Sequence, residues 1–374
     1  MENSSTENAT RSEDLSDEEL EIIAADVEAV SERLKAVLDE VRGVVWGQDD
    51  IIELTLTSMI AGGNVLLEGL PGLAKTRFLQ NLAPILSMEF KRVQFTPDLM
   101  PGDITGSVIL DEAENGRKEF RFQKGPIFTQ LFMADEINRA GPRTQSALLE
   151  AMQEKKVSVD GTSYYLQKPF HVVATQNPLE QDGTYPLPEA QLDRFLMKID
   201  LDYPDRESEK RVMLETTSTP ASKYLALKKQ SEETDIDLRE RTEGSNDVEV
   251  NAVLDKFDLI KMQELSKVLP LSESFVDAVL NIVRSARPND PTAPDFVKEH
   301  VEWGPGPRAE QAFAQAARAR ALLNGRLTPD NDDIRALAQP ILGHRMGVKF
   351  SARSQDYTEK TVIDELLKQN LDPV

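Results

Sequence analysis

The chain has 374 residues, 40% hydrophobic and 29% charged, a globular composition with length for two domains or three small ones. Its 65 acids against 43 bases leave a net charge of -22, which argues against a surface built to attract nucleic-acid backbones or anionic membrane, and the absence of cysteine excludes disulfide and thiolate chemistry. The opening "MENSSTENATRSEDLSDEEL" lacks the basic flank and apolar stretch of a signal peptide, and no apolar run nears the ~18 residues of a membrane helix, so a cytoplasmic protein without membrane insertion is expected.

Residues 1–15 offer almost nothing to bury and are expected to form a disordered acidic tail. Ser16 opens a capping-box pattern with Glu19, and Leu20, Ile23, Val27, Val30, Leu34, Val37 and Val41 follow at helical spacing, which predicts one amphipathic helix. Residues 1–40 hold thirteen acids against three bases, the pattern of a solvated outer face.

From "NVLLEGL" to "FLMKIDLDY", short apolar runs alternate with helical segments, predicting βαβ units around a mostly parallel sheet within an α/β core over 16–204. Core strands are expected at 64–68, 91–95, 130–134, 171–175 and 195–201. Two hairpins interrupt them: "GSVILDEAENGRKEFRF" turns at Asn115-Gly116 and "KVSVDGTSYYL" at Asp160-Gly161, dipeptides that tolerate the positive φ of tight turns. Strand signals stop after Tyr203-Pro204.

Residues 205–255 read as a linker and polar insertion, with little periodicity over 218–250 and one short helix at most. The remainder, 256–374, reads as helical: 259–268, 272–287, 308–324 closed by Gly325, and 328–342, with Thr328 as cap and Pro329 in the first turn. The alanine-rich stripe over 309–323 indicates close helix packing. His171, His300 and His344 form no spaced cluster and read as structural.

Four stretches carry candidate chemistry. In "LLEGLPGLAKTRF", Gly69 and Gly72 let the backbone wrap so that N–H groups point inward, Lys75 supplies charge for outer phosphates, and Thr76 offers a hydroxyl to Mg²⁺. Ala74 stands where the strict pattern has its last glycine; a right-handed φ there would accommodate the methyl group. The alternative is an ordinary β-turn-α corner. "QLFMADEINRA" leaves Asp135 and Glu136 at the exposed end of a strand, Asp135 suited to holding Mg²⁺ and Glu136 to polarising water; the alternative is an acidic pair favouring a helix N-terminus.

In "HVVATQNPLEQDGTYPLPEAQLDRF", Asn177 ends an apolar strand, placed to bond a γ-phosphate or its attacking water, or else to initiate a turn. Arg194 precedes the last strand and is suited to stabilising a phosphoryl transition state from a neighbouring subunit, or to an ion pair with Asp193 or Glu189. In "WGPGPRAEQAF", Arg308 begins a helix from which it can point back towards phosphates on the other domain, with capping or ion pairing as the alternative.

Together, "EGLPGLAKT", "ADEINRAGPRTQSALLEAMQEKKVSVDG", "VVATQNPLEQDGTYPLPEAQLDRF" and "GPRAEQAF" with the helices after it resemble the MoxR family of AAA+ ATPases over roughly residues 30–350, least across 218–255. That family commonly has alanine before the lysine, so the resemblance accounts for Ala74. It implies a three-layer αβα P-loop nucleotide-binding domain with a helix-2 insert and a pre-sensor-1 hairpin, followed by an all-α lid, with ATP and Mg²⁺ between the two. Lys75 and Thr76 would belong to Walker A, with Gly69, Leu70, Pro71, Gly72, Leu73, Ala74 and Arg77 around the phosphates. Asp135 and Glu136 would form Walker B, with Asn177 as sensor 1, Arg194 as arginine finger and Arg308 as sensor 2. Val45 to Gln48, "VWGQ", resembles the segment that closes over adenine.

The resemblance further implies a hexameric ring with a chaperone-like role in maturing or metal-loading a client, often beside a partner with a von Willebrand factor A domain. A nucleic-acid motor related to AAA+ helicases shares the same inserts, although the acidic balance speaks against it. A nucleotide-gated scaffold without useful turnover is a further alternative.

Overall fold

The computed structural model describes residues 16–112, 118–179, 183–217, 250–355 and 357–371. The expected disordered tail, the Asn115-Gly116 turn and the stretch 218–249 lie outside the described residues.

The first helix, α1 (Asp17–Val44), starts as the sequence predicts: Ser16 N–H donates to Glu19 Oε2 at 2.8 Å and Glu19 N–H returns to Ser16 Oγ at 3.3 Å. α2 (Asp49–Ile60) leads into β1 (Val65–Gly69), followed by α3 (Lys75–Ile85), β2 (Phe90–Gln94) and α4 (Pro101–Thr105). β3 (Gly106–Glu112) and β4 (Lys118–Lys124) form the first hairpin. Next come β5 (Leu131–Asp135), α5 (Pro142–Glu154), the hairpin of β6 (Lys156–Val159) and β7 (Thr162–Tyr165), β8 (His171–Gln176), α6 (Glu189–Leu192) and β9 (Met197–Leu201). The second hairpin turns on Asp160 and Gly161, both at positive φ (48° and 78°), as the dipeptide predicts.

Five strands form one parallel sheet in the order β2-β5-β8-β1-β9, so β5, β8 and β1 are interior and β2 and β9 are edges. The unbroken apolar runs in β5 and β8 follow from helices covering both faces, and β2 is less buried because it is an edge. Each expected core strand is present within one or two residues.

Residues 206–217, placed by the sequence in a linker, form a helix, α7 (Arg206–Thr217). It lies against the α1–α2 turn: a Cβ added at Gly47 would come within 2.6 Å of Ser208 Cβ and 2.8 Å of Pro204 Cβ.

The C-terminal region contains α8 (Lys256–Val268), α9 (Glu273–Ser285), α10 (Asp295–His300), β10 (Val301–Trp303), α11 (Pro307–Leu323), α12 (Asn331–Leu342), β11 (Gly347–Val348), α13 (Phe350–Arg353) and α14 (Glu359–Leu371). It is helical as expected, with one addition: β10 and β11 pair antiparallel across more than forty residues, too short and too distant in sequence to leave a period-2 signal. The expected cap at Thr328 is corrected. Asp330 is the N-cap, accepting from Asp332 N at 2.9 Å and Asp333 N at 3.2 Å, so Pro329 lies before the helix. Fully buried Asp333 is held by Arg320 at 2.8 Å and Arg326 at 2.6 Å, which fixes the helix start.

This region docks through α11 on α1 and α2 and through α12 on β9, in one continuous apolar cluster with the α/β core. All the alanines of α11 except half-buried Ala314 are buried and allow the close approach. Two buried histidines tie the regions together. His171 Nδ1 bonds Gly63 O at 2.9 Å and its Nε2 meets Gln263 at 3.0 Å, while His344 Nε2 bonds Phe195 O at 3.3 Å. Among the described residues, no helix is long and apolar enough to cross a membrane.

Candidate active site

β1 ends at Gly69 and the chain turns into α3 at Lys75, where first-turn backbone N–H groups and the helix dipole favour an anion. Gly72 sits at φ 87°, which only glycine adopts without strain. Ala74, expected at right-handed φ, is left-handed instead (φ 54°, ψ 19°), because the loop must reverse there before the first helical bond, Phe78 N to Ala74 O at 2.9 Å. A methyl group in that region costs about 1–2 kcal/mol; Ala74 is exposed, so the cost is conformational and not a clash. Lys75 Nζ donates to Gly69 O at 2.5 Å and Gln176 O at 3.5 Å, spanning the ends of β1 and β8. Thr76 is half-buried in the first turn of α3.

The ends of β5 and β8 bring the predicted polar groups to the same edge. Thr175 joins both carboxylate residues: its hydroxyl donates to Asp135 Oδ1 at 2.5 Å and accepts from Glu136 N at 2.9 Å. Arg92 Nε and Nη2 hold Asp135 Oδ2 at 2.9 and 2.6 Å. Glu136 Oε2 accepts from Gln94 Nε2 at 2.5 Å and pairs with Arg139 at 2.9 Å. Glu136 itself occupies left-handed backbone, φ 55°, a strain of the kind that concentrates at functional sites. Asn177 is buried, and its Oδ1 accepts from Leu179 N at 3.1 Å, so it does organise a turn.

Arg92, Gln94 and Thr175 escaped the sequence reading. Arg92 and Gln94 share one face of an edge strand, and Gln94 pairs in register with Asp135, a neighbour that only strand order reveals.

Beside the loop lies an apolar cavity of about 330 Å³, lined by Val45, Trp46 and Gln48, by Pro71 to Ala74 with Arg77, and by Tyr203 and Met213. Trp46 lies between two guanidiniums, Arg77 at 5.5 Å and Arg211 at 5.1 Å from its ring. Tyr203 and Met213 are additions to the sequence-predicted set, whose Val45–Gln48 segment already includes Trp46. An apolar slot, an N–H-lined loop with a lysine, and a hydroxyl and carboxylates beyond it fit an adenine nucleotide with Mg²⁺. Among the described residues, none from 256–371 lines this cavity; that region packs on α1, α2 and β9.

Arg194 and Arg308 stand elsewhere. They line a second cavity with Gly62, Gly63 and Asn64, before β1, whereas the phosphate loop follows β1. The five residues of β1 separate the two ends by about 16 Å. Arg308 therefore does not point to its own chain's loop, as the sequence reading allowed; it pairs with Asp193 at 3.3 Å. Arg345, buried, takes the other oxygen of Asp193 at 2.8 Å, which leaves Arg194 without the alternative Asp193 pair.

Comparison with known proteins agrees with the fold. Residues 64–197 match the model of the ATPase family associated with various cellular activities (AAA), and residues 295–366 match the AAA lid domain. The chain is 36% identical over 335 residues to the chaperone MoxR1 of Mycobacterium tuberculosis, covering 90% of this chain and 81% of that protein. It is 30% identical over 313 residues to protein MoxR of Methylorubrum extorquens, covering 82% and 85%. A crystal structure from Cytophaga hutchinsonii with a provisional ATPase assignment superposes with a TM-score of 0.79 at 35% identity, covering 94% of this chain and 98% of that one. With a parallel P-loop sheet, a helical lid and relatives matched along most of their length, the chain belongs to the MoxR family of AAA+ ATPases.

Proposed function

We propose that this chain hydrolyses ATP to ADP and phosphate in a hexameric ring, and uses the cycle to remodel, mature or load a client protein, with a von Willebrand factor A domain protein as partner. The observation that carries the catalytic part is Thr175, which ties Asp135 and Glu136 to one edge beside the phosphate loop.

Adenine occupies the Trp46 slot, and loop N–H groups and Lys75 bind the phosphates. Thr76 and Asp135 would hold Mg²⁺, which supplies charge neutralisation for the outer phosphates. Glu136 accepts the proton of water as its oxygen bonds the γ-phosphorus and the bond to the bridging oxygen breaks, with Asn177 orienting that water. Glu136 is engaged by Gln94 and Arg139, and Asp135 by Arg92, so both carboxylates exchange partners to act on nucleotide. Arg194 and Arg308 face away from their own loop and serve a neighbour's nucleotide, which makes activity depend on assembly. The test is Glu136→Gln with ATP: nucleotide should stay bound without turnover, and the arrested assembly should retain partner and client in a pull-down. Turnover near the parent rate would sink the catalytic assignment.

A further inference from the structure

A cavity of about 360 Å³ opens where α5, α11 and the approach to β9 converge, at the opposite end of the sheet from the phosphate loop. Four cations, Lys155, Arg194, Arg308 and Arg345, line it against one carboxylate, Asp193. Arg345 is engaged in structure: besides Asp193 it donates to the carbonyls of Phe195 at 2.6 Å, Ile341 at 2.7 Å and Leu196 at 3.1 Å. Arg308 shares the remaining oxygen of Asp193 at 3.3 Å. Neither Lys155 nor Arg194 has a carboxylate partner among the described residues.

Lys155 is the unexpected member. Among the described residues its ammonium donates only to Phe170 O, at 3.1 Å, and lies 5.2 Å from the Phe170 ring. Burial pushes its pKa down to about 8, so the site bears the cost of a desolvated charge. Its backbone is left-handed, φ 53°, pinned by Leu166 N donating to Lys155 O at 2.9 Å. Glycine would serve that turn without the strain of a Cβ, and an apolar side chain would fill the space without the charge. Cations held in a recess with too few counter-charges are complementary to an anion of multiple charge, as in a phosphate clamp.

We propose that Lys155 is a third phosphate-contacting cation that, with Arg194 and Arg308, takes the terminal phosphate of a nucleotide bound by the neighbouring copy of this chain. The proposal rests on the ring reading above. A head-to-tail ring apposes one face of each copy to the opposite face of the next, and here the phosphate loop and the cation cavity lie at opposite ends of one sheet. The shared chemistry is a phosphate dianion, whose other source is free inorganic phosphate.

The test uses the full chain with Lys155→Met, which keeps the stem and removes the charge, with Lys155→Gln as a second neutral variant and Lys155→Arg to restore the cation. Lys155→Met should lower steady-state ATPase about tenfold or more while binding of a fluorescent ATP analogue changes less than about twofold, and Lys155→Arg should recover most of the loss. Mixed with Lys75→Ala subunits, Lys155→Met subunits should exceed the sum of the separate activities; mixed with Arg194→Ala subunits they should not. Arg194→Ala with Lys75→Ala is run in parallel. Rescue there but none with Lys155→Met overturns the role of Lys155 alone; rescue in neither overturns the ring reading and this proposal with it. Near-parent ATPase in both neutral variants, or loss of analogue binding by folded Lys155→Met, also overturns it. Saturable binding of inorganic phosphate that Lys155→Met abolishes, without rescue in mixtures, assigns the pocket to free phosphate instead.

Discussion

Arg92 holds Asp135 through two nitrogens on one oxygen, Nε at 2.9 Å and Nη2 at 2.6 Å from Oδ2, across the β2–β5 edge. The carboxylate proposed to hold Mg²⁺ thus rests against a guanidinium exposed to 44%, and a metal there would compete with it. Arg92→Met should lower the Mg²⁺ concentration needed for half-maximal nucleotide binding by about threefold to tenfold, since charge-assisted pairs of this kind are worth about 1 kcal/mol. An unchanged Mg²⁺ titration would show that the pair does not restrain Asp135.

Glu136→Gln removes the proposed proton acceptor while conserving size, and the amide still reaches Gln94. Turnover should fall at least about a hundredfold, with ATP affinity within about threefold. Single-turnover hydrolysis beside equilibrium binding separates the two; loss of binding instead would place Glu136 in nucleotide capture.

Ala74→Gly has opposite signs for the two backbone conformations. At a right-handed site the change destabilises by about 0.5–1 kcal/mol, whereas at φ 54° it relieves strain and should be neutral or stabilising by up to about 1 kcal/mol. Denaturant unfolding of the nucleotide-free protein reads that sign directly.

His171 is buried and held neutral, its pKa lowered to about 4 by burial first and by the Lys155 charge, against the opposing bond to Gly63 O. The unfolded chain takes up this proton near pH 6.5 and the folded chain does not until about pH 4, so the contribution is complete above 6.5 and lost as pH falls between those values. At pH 5 the loss from this residue is about 2 kcal/mol. His344, pushed well below its ordinary value mainly by burial, adds in the same direction. Unfolding free energy measured at pH 7 and pH 5 should show the fall, and His171→Gln should shrink it.

Much of the site is local and was legible in the chain. A loop following an apolar run, two carboxylates ending another and an asparagine ending a third each need only a few consecutive residues, so "GLPGLAKT", Asp135-Glu136 and Asn177 carried their own signal. The hairpin at Asp160-Gly161 and the cap at Ser16 are of the same kind. Partners set by strand order carried none: Arg92 and Gln94 meet the carboxylates only because β2 lies beside β5, and Trp46 meets Met213 only because α7 folds back on Gly47. Periodicity also could not tell Thr328 from Asp330 as a cap, since Asp333, buried between Arg320 and Arg326, decides where the helix begins. The sequence by itself determined which end of each strand bears chemistry, because that is a property of neighbouring residues. Which of those ends face one another is a property of packing, and it alone placed Arg194, Arg308 and Lys155 in one cavity at the other end of β1 from the loop of their own chain.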